Sequence, residues 1–323
     1  MKKASLLALA AGFGLILIAL TLSGFSAQRI SNDVKAINQK DLTVRQGTFD
    51  ARGIQQVKTD VNDVKVVIKT QTDTSRVTVD YFETNADKFV VTHSGDTLSV
   101  GRKPGSQKHH FICFFRCISN PYSITIRVPA NSVYAYNLMA NNAPVAFENG
   151  GTLQTQAIHI VSSNSNVDMQ RLAAAGTVYA QSDNGSIRLH DVTSSGTLTL
   201  ESSNASNELV NVQAPAINST TDNGSVLLHA VTTVNLTAHS SNASITLDRL
   251  TADHATLTSD NGSVEGSIIG AKEAYDLGIT SDNGSITVDN TSYGESYRTE
   301  QNSRGKSVKI TASNAAVNVN FVK

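Results

Sequence analysis

An all-β solenoid of stacked coils is what three observations on this chain of 323 residues point to. The first is an asparagine-centred tripeptide that keeps returning through the second half. It reads Ser163-Asn164-Ser165, Asp183-Asn184-Gly185, Ser203-Asn204-Ala205, Asp222-Asn223-Gly224, Ser241-Asn242-Ala243, Asp260-Asn261-Gly262 and Asp282-Asn283-Gly284. The gaps between central asparagines are 20, 20, 19, 19, 19 and 22 residues, and a short fixed period of this kind marks a repeat architecture. The second is the alternation that follows most tripeptides, as in Ser186-Ile187-Arg188-Leu189, which turns apolar side chains to one face of a strand. The third is composition: 21 Gly, 5 Pro, no Trp and only 16% charged residues. A polar, weakly charged surface suits a protein outside the cytoplasm.

Taken from the start, Lys2 and Lys3 precede an uncharged, Leu-, Ala- and Ile-rich stretch over residues 4–27. That is long enough to cross a hydrocarbon layer of roughly 30 Å as a transmembrane helix. A secretory signal peptide has the same basic start and apolar core, so a cleaved leader is the alternative. In both cases the positive-inside rule leaves Lys2 and Lys3 in the cytoplasm. The expected location is therefore the cell membrane, single-pass, with the C-terminal domain extracellular, or else a secreted chain. Residues 28–46 are polar, with Ile30, Val34 and Ile37 at helical spacing, and form a juxtamembrane linker.

Residues 47–149 carry strand patterns such as Val77-Thr78-Val79 and Ile124-Thr125-Ile126 without the asparagine repeat, and make a membrane-proximal β section. Residues 150–323 are the repeat solenoid. Asn and Gly tolerate the left-handed backbone of a sharp corner, so Asn164, Asn184, Asn204, Asn223, Asn242, Asn261 and Asn283 are read as structural turn residues. Asn-Gly also favours hairpins, and a meander is the alternative; the near-constant spacing favours stacked coils. The corners alternate between Ser and Asp types, which gives a duplication unit of 39 residues from Asn184 to Asn223. If each repeat is one coil, interleaved Ser keeps Asp carboxylates from stacking about 4.8 Å apart. Two repeats per coil stay equally open. Asp260 followed by Asp282 breaks the alternation, and a further Ser313-Asn314-Ala315 lies beyond a longer gap.

Charge is uneven: residues 28–128 hold 15 Lys+Arg against 10 Asp+Glu, and residues 129–270 hold 3 against 11. The corner acids Asp183, Asp222, Asp260 and Asp282 lack the Gly-Gly-x-Gly-x-Asp setting of calcium-binding β-helix repeats and are read as solvated turn formers. Cys113 and Cys117 follow no zinc-finger spacing; outside the cytoplasm they form a candidate disulfide, which requires their segment to bend. Phe111, Phe114, Phe115 and Arg116 form a candidate membrane patch against anionic lipid. No Gly-x-Ser-x-Gly, no His-Glu-x-x-His and no metal or cofactor motif occurs, so the chain is read as no enzyme, without cofactor and without a nucleic-acid partner.

The apolar N-terminus, Val77-Thr78-Val79-Asp80-Tyr81-Phe82-Glu83-Thr84, Asp96-Thr97-Leu98-Ser99-Val100, Ile124-Thr125-Ile126-Arg127-Val128-Pro129 and the recurring Ser-Asp-Asn-Gly-Ser-Ile together resemble the bacterial putative-adhesin family. This is a domain of unknown function in Gram-positive surface proteins, including relatives of Lia-type envelope-stress systems. The resemblance covers residues 47–323. It implies a solenoid-like surface domain with no assigned catalytic residues. The expected function is non-catalytic adhesion or binding of an extracellular glycan, peptide or protein ligand. The alternative is an envelope-stress component that binds cationic peptides or the membrane surface.

Overall fold

The structure, a computed structural model, describes residues 42–72, 75–106, 123–299 and 305–323. The apolar run 4–27 expected to span the membrane lies outside these residues, as do Cys113, Cys117, Phe111, Phe114, Phe115 and Arg116. Among the described residues no helix is long and apolar enough to cross a membrane. Apart from one 3-10 turn, Lys272–Ala274, the regular structure there is all β-strand.

Each repeat is one coil. Val178 pairs with Leu198 and Ile187 with Asn207, in parallel and 20 residues apart, so the chain returns to the next rung once per repeat. Parallel pairing removes the hairpin-meander alternative, which needs antiparallel neighbours. A coil runs along a first face (Val178–Ser182), turns at the Asp183-Asn184-Gly185 corner and continues as Ile187–Ser194. Within that strand Ile187, Leu189 and Val192 are buried while Arg188 and His190 face outward. The ladder skips Asp191, which has φ 55°. Arg171, Asn211, Ala230 and Arg249 repeat this left-handed conformation in register, at φ 51–57°. A Cβ makes that backbone unfavourable, so its recurrence marks a bend the stack enforces, from the second face to a short third one.

One core of aliphatic side chains runs from Ile54 to Val319. The section 47–149 contributes coils to this same stack: Gln56–Asn62 pairs in parallel with Tyr134–Asn141, which pairs with Leu153–Ser162. The strand Thr43–Asp50 begins inside the segment expected to be a linker.

Chain order and spatial order diverge at both ends. Near the N-terminus the coil 56–71 lies between Tyr134–Asn141 and Thr97–Arg102 on one face, and between Val145–Phe147 and Ser123–Pro129 on the other. Near the C-terminus Lys306–Ala312 lies between Ile245–Ser259 and Tyr275–Ser281. Val317–Val322 lies likewise between Val264–Ile269 and Ile286–Val288. This explains the 22-residue gap. The connection from the Asn261 coil to the Asn283 coil climbs two rungs, roughly 9.6 Å, and the extra residues with the Lys272–Ala274 turn supply the reach. Antiparallel strands then close the outermost rungs: Thr43–Asp50 and Phe89–Ser94 at one end, Thr291–Tyr293 and Ser296–Arg298 at the other. Such caps occupy edges that would otherwise template association.

Candidate binding surface

The seven predicted asparagines come together in one row. In the spatial order Asp63, Asn142, Asn164, Asn184, Asn204, Asn223, Asn242, Asn261, Asn314, Asn283, each asparagine donates Nδ2–H to Oδ1 of the rung before it, at 2.5 to 3.0 Å, and Asp63 at the end of the row only accepts. Asp63, Asn142 and Asn314 extend the row beyond the seven. The signal for Asn314 was its Ser-Asn-Ala tripeptide; Asp63 and Asn142 sit outside any recognisable repeat. Because donor and acceptor are both spent within the row, the asparagines act as a hydrogen-bonded spine.

A second column, missed in the sequence, locks the corners from inside. The hydroxyl two residues before most asparagines, as at Ser182, Thr221, Ser240 and Ser259, donates to a carbonyl of the preceding coil at 2.9 to 3.1 Å. It also accepts from a backbone N–H of its own corner, at 3.0 to 3.1 Å. The signal was there: a Ser or Thr precedes each of the seven asparagines by two positions.

The inserted coil restores the alternation that the sequence breaks. In space the corners read Ser163, Asp183, Ser203, Asp222, Ser241, Asp260, Ser313, Asp282, because Asn314 stands between Asn261 and Asn283. Each Asp-type corner also carries a glycine packed on its Ser-type neighbour. A Cβ on Gly224 would lie 2.1 Å from the carbonyl oxygen of Ala205, and one on Gly284 2.3 Å from that of Ala315. The pair of unlike corners is thus the packing unit behind the 39-residue duplication. Asp183, Asp222, Asp260 and Asp282 end up two rungs apart, roughly 9.6 Å, and join no ion pair among the described residues. No group of three or more metal-ligating side chains occurs among those residues.

A groove of about 770 Å³ follows the short third face across six coils, from Gln154 to Thr251. Its floor includes the in-register residues Ala173, Thr193, Gln213, Thr232 and Thr251, with Ser195, Pro215 and Val234 alongside. Val234 is 45% exposed and adds an aliphatic contact to it. The one charged group lining it is Asp253, neutralised by Lys306 at 2.9 Å. A second hollow of about 520 Å³ shares Thr193, Gln213 and Thr232 and reaches the left-handed corner at Arg171 and Asp191. There Asn211 donates to Asp191 at 2.5 Å and holds its carboxyl below the usual range.

On the first face His159 and Tyr179 stack, ring centroids 4.9 Å apart, and the Tyr179 hydroxyl donates to Glu201 at 2.7 Å. Partial burial, reinforced by Glu201, pushes this phenol up to about 12. On the second face Arg188 bridges Asp168 and Glu208, both at 3.4 Å. Glu148 is held below its usual range, chiefly by hydrogen bonding to Lys69 and then to Lys65.

The family model described as Toastrack DUF4097 matches residues 54–321. No curated protein matches the chain. The chain is similar to three solved structures at low identity. A putative lipid binding protein from Parabacteroides distasonis is 12% identical, over 88% of this chain and 98% of that one, with a TM-score of 0.49. A putative adhesin from Bacteroides fragilis is 15% identical over 88% and 98%, with a TM-score of 0.40. A putative adhesin from Parabacteroides merdae is 15% identical over 88% and 97%, with a TM-score of 0.33.

Proposed function

The chain belongs to the Toastrack DUF4097 family, and from that premise we propose that it is a non-catalytic extracellular surface protein whose solenoid serves adhesion. In this reading the N-terminal apolar segment holds it at the membrane, and the third-face groove takes an extended, uncharged ligand such as a glycan strand. The groove is the observation that supports this: six coils long, lined by amides, hydroxyls and small apolar groups, with its single carboxylate already paired. Such a lining offers hydrogen bonds and apolar contact without selecting for charge. A glycan and peptide array probed with residues 28–323 tests it. Hits should bind nearly as well at physiological as at low salt, and Thr232→Trp, which fills the groove, should remove them. Array ligands insensitive to that substitution would defeat the groove reading.

The four unpaired corner carboxylates favour a second reading, capture of cationic peptides by an envelope-stress component. That binding should fall steeply as salt rises and should disappear when Asp183, Asp222 and Asp260 are changed to Ser, with Thr232→Trp having no effect.

A further inference from the structure

The displaced C-terminal coil occupies a slot between two earlier coils. Both walls of the slot precede it in the chain. One wall is the Asn261 coil and the other the Asn283 coil, joined by the two-rung connection through Lys272–Ala274. Closing the slot would set Asp260 against Asp282 and Gly262 against Gly284. From Ser163 onward every other rung sets Asp against Ser, and glycine against Ala or Ser. Like charges would then face each other one rung apart, and the close approach that the glycines permit would have nothing to fill it.

The insert matches the slot in hydrogen bonding, packing and charge. Its strands pair with both walls on both faces. The corner backbone bonds in the same way: Asn314 donates N–H to Asp260 at 3.0 Å, and Asn283 donates N–H to Ser313 at 3.0 Å. Val308, Ile310 and Val319 are at most 1% exposed. Residues 306–322 carry Lys306 and Lys309 and no acid. Lys306 reaches Asp253 on one wall and lies 5.7 Å from the ring centre of Tyr275 on the other.

We infer that this slot accepts residues 306–322 from a second copy of the same chain as well as its own, linking copies by strand exchange. Each of these bonds is available in trans without a new interface, which makes exchange of an identical element a low-cost route between monomer and dimer. The corner between Asp260 and Asp282 takes a Ser-Asn-Ala coil, and Lys306 of residues 306–322 adds the pairing with Asp253. Proximity favours the chain's own segment, so exchange grows with concentration.

The test uses the exposed, in-register pair Thr256 and Lys309. Two differently tagged chains, with Cys113→Ser and Cys117→Ser in both, carry Thr256→Cys in one and Lys309→Cys in the other. They are mixed, incubated at high concentration and oxidised. Strand exchange yields a covalent dimer bearing both tags. Its yield rises with concentration, and Thr237→Cys, a rung further from Lys309, gives none in place of Thr256→Cys. A chain carrying Thr256→Cys and Lys309→Cys together, oxidised before mixing, should be locked as monomer and monitors folding of the variants. Equal cross-linking from Thr237→Cys, or no two-tag dimer under conditions where amides of 306–312 exchange with solvent, overturns the inference.

Discussion

The middle of this solenoid and its two ends obey the same stacking geometry through different chain paths. From Asn164 to Asn261 each rung hydrogen-bonds to one 19 or 20 residues away. At the C-terminal end Asn314 bonds to Asn261 across 53 residues, and at the N-terminal end Asn142 bonds to Asp63 across 79. The middle can therefore grow coil by coil with cheap loop closure. Each end requires a later segment to find a place beside an earlier one, at higher entropic cost. The corner alternation therefore belongs to spatial rather than sequential neighbours. The Ser313 coil entered where an Asp–Asp contact would otherwise form.

Core truncation separates the two regions most sharply. Leu200 in the middle and Ile310 in the inserted coil are both fully buried. Leu200→Ala and Ile310→Ala should each cost about 2–5 kcal/mol. In native-state hydrogen exchange Ile310→Ala should lower protection only over residues 275–322, whereas Leu200→Ala should lower it in coils on both sides. Identical exchange maps would mean that the stack opens as a single unit and the ends have no separate stability.

Glycine substitution comes next. Gly224→Ala places a methyl 2.1 Å from the Ala205 carbonyl oxygen and should cost about 3 kcal/mol, since neither backbone can retreat without breaking a rung. Gly294, in the terminal cap, has nothing within 4 Å of an added Cβ. Gly294→Ala should stay within about 0.5 kcal/mol. Urea denaturation of both variants checks this; a mild Gly224→Ala would dissolve the paired-corner unit.

The period of the asparagines was enough to read stacked coils, their corners and their apolar faces, because a repeated local rule leaves a repeated local mark. Whether one repeat or two make a coil needed the pairing of Val178 with Leu198. The 22-residue gap and the isolated Ser313-Asn314-Ala315 were visible as anomalies. Their meaning was not, since an insertion between earlier coils is a long-range pairing with no local trace. The left-handed bend was hidden for another reason: Arg171, Asp191, Asn211, Ala230 and Arg249 share a conformation but not a chemistry. The groove escaped too, being made of ordinary Thr, Gln and Ala side chains that only the stacking brings into line. Asn207 shows tertiary context overriding pattern. It occupies an inward position held by Ile187 and Val226 on the adjacent rungs, and donates across the core to Ser219 at 3.1 Å.

The smallest effect concerns how outward side chains couple coils in the middle but not at the cap. Tyr179 leans on His159 of one neighbouring coil and donates to Glu201 of the other. Tyr297 instead meets Tyr293 within the terminal hairpin, ring centres 4.0 Å apart. Both phenols are raised, foremost by burial, and Tyr179 is pushed up to about 12. A raised phenol favours its neutral form, while the unfolded chain ionises near its ordinary value of about 10. The contribution of Tyr179 is therefore complete below pH 10 and is lost as pH climbs through about 12. Glu201→Gln removes the charge and one reason for the shift, so the phenol should then ionise earlier. Ultraviolet difference titration against Tyr179→Phe isolates this group from the other tyrosines. Unchanged ionisation in Glu201→Gln would show that the coil-to-coil hydrogen bond contributes nothing there, leaving burial as the whole cause.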